Sequence, residues 1–362
     1  LYHGNRIFRK SKGGNVLDDV NVLKQRDRGD ALGVAANLYT QVSYDSILAN
    51  PDHDGRPIEA VVLAGMGGSA LGAEVLKVLL SEKLSVPFEV VKGYTLPGYV
   101  NKNTLVIASS HSGNTEETVS CLEQAIALGC QIAITATGGK LQEIAQKHQI
   151  LFAPIHGGTQ PRMGMIYNLR SVLKIFVAFE LVDKRVYTDM ATLENWLQKE
   201  SDRWTKEVST EHNYAKQLAL LAVGKTPVFY AGTLMAPVAY KWKISWNENA
   251  KNVAFWNYLP EFNHNEFLGW TSHPVEKPFA VFDLVSELEH PRTQKRFALS
   301  DKLLSGRRPK SIVVPIAGDT LAKQLLWGCI LADFVSIYVG ILNNVDPTQV
   351  DLIEQFKKEL SA

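Results

Sequence analysis

Cysteine is scarce: 362 residues contain three, Cys121, Cys130 and Cys329, with no CxxC pair and all within apolar or helical text. That spacing argues against a disulfide framework or a cysteine zinc site and leaves reduced, buried thiols. The nine histidines form no HxxxH pair, so no metal site is expected and the chemistry should need no cofactor. An excess of charge of either sign is also missing. Lys and Arg number 38 against 37 Asp and Glu, a net +1, which provides no overall field for nucleic acid or an anionic membrane. Any anion site must be local. Long spanning segments are lacking too. The one long apolar run, 325–342, carries Asp333 and Ser336 and falls short of a typical bilayer helix, so it reads as a buried helix. The opening Leu1–Gly14 lacks the order of a signal peptide and reads as polar and frayed. A cytoplasmic protein is expected.

What is present is the makeup of an ordinary globular chain, 46% apolar and 21% charged, long enough for two domains. From Glu59 the text AVVLAGMGGSALGAEVLKVLL gives an apolar run, a glycine turn and then helical periodicity, a βα unit. PFEVV, TLVIASSHSGNTEET and QIAITATGG follow in kind, for about four strands alternating with helices. The order recurs after residue 224 with PVFYAG and a helix through Lys243, then NVAFWNYL, PFAVFDLV and SIVVPIAG. The expected fold is α/β, with two similar doubly wound parallel-sheet domains of flavodoxin-like type. The expected boundaries are a largely helical segment at 1–58, a phosphate-binding domain at 59–185, a helical connection at 186–224 and a second domain at 225–362. Duplication is one account of this repeat; the general likeness of Rossmann-like sheets is the other.

In an open parallel sheet, ligands bind beyond the carboxyl ends of the strands. Two loops there stand out. Gly65-Met66-Gly67-Gly68-Ser69 offers close backbone approach and a hydroxyl. Ser109-Ser110-His111-Ser112-Gly113-Asn114-Thr115 offers hydroxyls and N–H groups able to wrap one phosphate. Gly65-x-Gly67-x-x-Ala70 also fits a dinucleotide fingerprint. Against that, the second strand ends on Lys92, with Glu89 nearer its middle, where a ribose-binding acid would be needed. A monophosphate is the better reading, and a structural serine-rich turn is the bland one.

GMGGSALG and SSHSGNTEET resemble the sugar isomerase (SIS) domain. GGTQPR at 157–162, WNENAK at 246–251, PEFNHNE at 260–266, HPRTQKRF at 290–297 and NNVDP at 343–347 resemble the bifunctional phosphoglucose/phosphomannose isomerase family, from about residue 59 onward. The resemblance implies that Gly67, Gly68, Ser69, Ser110, Ser112 and Thr115 hold the phosphate and that Arg162 lies by the sugar. It implies Glu248 as base, His264 as the ring-opening group and a C-terminal lysine, matched best by Lys357 beside Lys358. Thr348 is a further candidate for contact with the sugar hydroxyls. The chain departs from the family pattern at His111, where tyrosine is expected, and at Met163-Gly164, where alanine-like text follows QPR.

Without the resemblance, Glu248 would pass for a solvated carboxylate just past a helix, and Arg162 for a surface ion-pair partner. A carboxylate suits proton transfer between adjacent carbons, and an imidazole can serve both ring oxygen and anomeric hydroxyl. His264, flanked by asparagines, is not set as a core histidine. The aromatic text around it suggests an association surface and hence a homodimer, with an internal domain contact as the bland alternative; the resemblance implies that the matching histidine reaches across the dimer interface, giving composite sites that act on a sugar phosphate, and neither nucleic acid nor membrane is expected as a partner. Two alternatives stand: a non-catalytic phosphosugar sensor on SIS domains, and an isomerase of another sugar phosphate.

Overall fold

The structure, a computed structural model, describes residues 15–272 and 277–360. Leu1–Gly14, read above as frayed, lies outside them. In the first half run β1 (Ala60–Gly65), β2 (Phe88–Val91), β3 (Thr104–Ser109), β4 (Gln131–Ala136) and β5 (Leu151–Pro154). All neighbours pair in parallel, in the order β2-β1-β3-β4-β5. β3 is buried along its whole length, as an unbroken apolar run in a helix-covered sheet should be. β5 is a fifth strand where the sequence suggests four. It is short and ends on proline, which suits a sheet edge, and an antiparallel bridge between Phe152 and Ala49 covers that edge.

The second half contains β6 (Thr226–Ala231), β7 (Phe255–Tyr258), β8 (Phe279–Val285) and β9 (Ile312–Pro315), parallel in the order β7-β6-β8-β9. This repeats the first four positions of the other sheet, and both follow the flavodoxin-like order. Each sheet therefore has a switch point where neighbouring connections leave in opposite directions, between β1 and β3 and between β6 and β8.

The apolar run at 325–342 lies within the helix Leu321–Leu342. Among the described residues it alone is long and apolar enough to cross a membrane, and 94% of its apolar window is buried inside the protein. It is a core helix. One apolar cluster joins its Leu331, Phe334 and Ile337 to Leu63 of β1, Phe229 of β6, and Leu23 and Leu32 of the N-terminal segment. The helix expected to end near Lys243 instead runs from Ala236 to Asn249, so Glu248 sits in its last turn rather than past its end. Packing overrides the weak helix preference of asparagine: Trp246 is fully buried and stacks on Trp242 at 5.8 Å.

A buried ion pair links these two helices. Lys241 Nζ lies 2.6 Å from Asp333 Oδ1, with side chains 1% and 3% exposed. Ser245 Oγ donates to the same carboxylate oxygen at 2.9 Å, and Lys241 Nζ donates to the Arg162 carbonyl at 2.8 Å. The second half thus grips the backbone of a first-half turn. Such a pair gains little over apolar packing, but removing one partner strands the other charge. Asp333→Ala is therefore expected to lose ~3–5 kcal/mol in denaturant unfolding, with Lys241→Met/Asp333→Leu closer to the parent protein. A single-variant loss under about 1 kcal/mol would contradict this role for the pair.

Candidate active site

At the first switch point Gly65 pairs with Ser109, which sets the loops after β1 and β3 side by side. Each loop feeds a helix, Gly67–Leu79 and Glu116–Ala127, and neither has a side-chain cap at its N-terminus. Their leading N–H groups are therefore suited to an anion. The nominated hydroxyls gather around them. Ser110 Oγ and Thr115 Oγ1 are 2.7 Å apart, Ser110 Oγ accepts from the Gly113 N–H at 3.1 Å, and Ser69 Oγ accepts from the His111 N–H at 3.0 Å. Ser112 Oγ, on the exposed side, accepts from the Asn114 N–H at 3.3 Å. Gly113 has no substitute in this turn: φ is +73° and a Cβ would lie 1.8 Å from the Gly138 carbonyl oxygen.

The second switch point is closed. There the Glu289 carboxylate accepts from the N–H groups of Leu234 at 2.7 Å and Met235 at 3.2 Å, ahead of the helix Ala236–Asn249. An internal carboxylate fills the place that hydroxyl-lined loops leave open in the first half. Burial pushes its pKa up against the lowering effect of those N–H groups.

The turn Gln160–Arg162 lies against the first loop, since a Cβ on Gly68 would come within 2.5 Å of the Pro161 carbonyl oxygen. Arg162, expected at the surface if read in isolation, is 2% exposed. Its Nε donates to Asn249 Oδ1 at 2.6 Å, Nη1 to Glu248 Oε2 at 3.1 Å, and Nη2 to the carbonyls of Pro347 at 2.8 Å and Thr348 at 3.3 Å. Arg162, Glu248 and Thr348 are thus brought together beside the loops that follow β1 and β3. A cavity of about 320 Å³ opens here, lined by Arg162, Asn249, Thr348, Thr159, Gly29 and Val34 among others. The buried hydroxyls of Thr159 and Thr348, two of the residues that line it, have no hydrogen-bond partner.

Several of these residues escaped the sequence reading. Asn249 and Lys251 lie inside the WNENAK motif, where only Glu248 was singled out. Lys251 Nζ donates to the carbonyls of Glu248 at 2.7 Å and Pro347 at 3.3 Å, and burial, then the nearby Arg162 charge, push its pKa down. Gly29 and Val34 carry no sequence signal of a site; folding of the N-terminal segment across the long helix brings them there.

Two nominated residues stand apart from this cluster. Lys357 forms an ion pair with Glu354 at 2.8 Å on the exposed helix Asp351–Leu360, which also carries Lys358. His264 is exposed at the end of the short 3-10 turn Glu261–His264. Its neighbours are tied down: Phe262 is buried on Tyr230, Asn263 Nδ2 donates to Ser300 Oγ at 2.9 Å, and Glu266 accepts from Asn257 at 2.7 Å. Among the described residues no hydrogen bond or ion pair joins His264 to Glu248 or Arg162 of its own chain.

The Gly68 contact yields a direct check. Gly68→Ala should force the loop and turn apart, costing about 1–3 kcal/mol in chemical denaturation and weakening retention of inorganic phosphate. Unchanged stability and phosphate affinity would refute the close approach.

The SIS domain model matches residues 57–173, and the model of the bacterial phospho-glucose isomerase C-terminal SIS domain matches residues 211–360. A bifunctional phosphoglucose/phosphomannose isomerase of Caldicellulosiruptor bescii is 35% identical over 84% of this chain and 90% of its own. One from Aquifex aeolicus is 31% identical over 90% of this chain and 97% of its own. A crystal structure of a glucose-6-phosphate isomerase like protein from Thermus thermophilus shares the fold, with a TM-score of 0.63 at 18% identity over 94% of this chain and 98% of that one. With these identities spanning most of both chains, this protein belongs to the bifunctional phosphoglucose/phosphomannose isomerase family.

Proposed function

We propose that the chain interconverts glucose 6-phosphate, and mannose 6-phosphate, with fructose 6-phosphate through a cis-enediol, without a cofactor. The observation that carries the reading is the Arg162–Glu248 pair, 3.1 Å apart: Arg162 follows Pro161, which packs against Gly68 beside Ser69, and Ser69 is bonded to the neighbouring loop of Ser110, Ser112 and Thr115 through the His111 N–H. A phosphate held at the loop extends its sugar toward a carboxylate and a guanidinium. His264 gives a proton to the ring oxygen and takes one from the anomeric hydroxyl, which opens the ring. The Glu248 carboxylate then removes the C2 proton and returns it to C1, while a proton passes between the oxygens on those carbons. Arg162 faces the negative charge of the enediolate, in a site drier than water. Its other N–H groups are held by Asn249, Pro347 and Thr348, which fixes the guanidinium plane before substrate arrives.

His264 reaches such a site from a second copy of the chain. In support, it is exposed on a segment of chain that also exposes Val253, Phe255, Tyr258 and Leu268, which are 64%, 54%, 36% and 70% exposed. The reading therefore includes a homodimer with composite sites, working in the cytoplasm on a sugar phosphate, with neither nucleic acid nor membrane as partner. A non-catalytic phosphosugar sensor would need the serine loops and not the Arg162–Glu248 pair.

Glu248→Gln is expected to lower kcat by about 100- to 10,000-fold with little change in substrate binding, because the amide keeps the shape and removes the base. Near-normal turnover would remove Glu248 from the mechanism. Ser110→Ala should weaken substrate binding by ~1.5–3 kcal/mol through loss of a bond to charged phosphate, and unchanged affinity would move the phosphate elsewhere. Mixing Glu248→Gln with His264→Ala and allowing chains to exchange should restore up to about a quarter of wild-type activity, since half the dimers are mixed and each has one intact site. No recovery after confirmed exchange would place both residues in one chain's site.

A further inference from the structure

Between Ser110 and Ser112 stands His111, a residue without a role in the chemistry above. Its backbone is committed on both sides. The N–H donates to Ser69 Oγ at 3.0 Å, and the carbonyl accepts from the Thr137 N–H at 3.0 Å and hydroxyl at 2.8 Å. The ring reaches toward the other wall of the site. It covers Gly164, where an added methyl would lie 3.1 Å from His111 Cε1 and 3.0 Å from Thr159 Oγ1. Thr159 lines the cavity with Arg162. The imidazole therefore spans the seam between the loop assigned to the phosphate and the turn that carries the arginine.

That loop faces a charge deficit. A sugar phosphate is largely dianionic at neutral pH, with its second pKa near ~6, while Ser69, Ser110, Ser112 and Thr115 are uncharged. The helix leaving the loop begins with Glu116 and Glu117, which oppose an anion. Nearby cations are engaged elsewhere: Lys140 with Glu123 at 3.4 Å and Arg162 with Glu248 at 3.1 Å. His156, on the segment before the Gln160–Arg162 turn, stacks on Tyr167 at 5.0 Å. Burial holds the His111 pKa below the usual histidine range, opposed by the Thr159 backbone, and none of these charged groups contributes to the shift. A residue whose burial favours the neutral imidazole thus stands one residue from each of two serines assigned to the phosphate.

We propose that His111 is a further residue of the phosphate site, one that takes up a proton as a dianion enters the loop and holds the Arg162 turn in register with it. The inference rests on the assignment of the phosphate to this loop. It makes His111 a positioning residue whose charge follows occupancy. The sign follows from linkage: a group whose pKa is higher in the complex favours binding at low pH, and the gain is lost as pH rises through the value in the complex.

Inorganic sulfate is the suitable probe, because it stays a dianion across about pH 5.5–8.5, where histidine titrates. With the wild-type chain, sulfate affinity should fall about tenfold across that range for each unit by which binding raises the His111 pKa. Calorimetry in buffers of different ionisation enthalpy should show proton uptake on binding. His111→Gln, with folding checked by circular dichroism, should bind sulfate with a flat pH profile and no uptake. A wild-type profile that is already flat, an absence of proton uptake, or an unchanged slope in His111→Gln overturns the proposal while leaving the phosphate loop in place. If the variant is too unstable to bind, the wild-type proton count decides. Failure of the wild type to bind sulfate at all overturns the loop assignment, and this inference with it.

Discussion

Arg162, on a turn of the first half, is held by the second half of the molecule, and the geometry of the site depends on that hold. Its carbonyl takes a hydrogen bond from Lys241, itself paired with Asp333, while its guanidinium binds the side chains of Asn249 and Glu248 and the backbone at Pro347 and Thr348. A guanidinium this deeply buried must have its donors matched or pay a large desolvation cost. The matching groups come from one helix and one loop of the second half, so satisfying the arginine also fixes where Glu248 stands relative to the loops at the end of β1 and β3. Stability and catalytic geometry are set by the same contacts.

The two sheets share a strand order and differ in what fills their switch points. In the first, small residues and hydroxyls leave two helix N-termini uncapped. In the second, Glu289 supplies the negative charge from within the chain. The same backbone arrangement leaves two helix N-termini without a side-chain cap in one half and forms a structural joint in the other. The second half is freed to contribute the Glu248 carboxylate from the far end of its first helix, and the proposed active site is built from opposite ends of two related units.

What was legible in the sequence was local. β1 and β3 are apolar runs closed by glycine or serine, and the order strand, loop, helix announces an anion site before any contact is known. The burial of Arg162 was not legible, because its partners lie 87, 86, 185 and 186 residues away. The last turn of the helix carrying Glu248 was equally hidden, since Asn247 and Asn249 are weak helix formers and the turn is secured by Trp246 packing and by bonds from Asn249 to Arg162 and Ser336. β5 was missed because four residues ending on proline carry too little pattern. Motif matching named Lys357 and passed over Lys251, whose place beside Glu248 comes from the chain's reversal after the helix rather than from its text.

The central claim is that Glu248 moves a proton between C1 and C2 of an open-chain sugar phosphate. The most direct measurement incubates the metal-free, nucleotide-free protein with glucose 6-phosphate in heavy water and follows both sugars by nuclear magnetic resonance during partial conversion. The account predicts that fructose 6-phosphate appears and that deuterium enters C2 of the recovered glucose 6-phosphate, because the carboxylic acid formed on Glu248 exchanges its proton with solvent during the lifetime of the enediol, before returning it to carbon. Conversion with no solvent deuterium at either carbon would contradict it and point to hydride transfer.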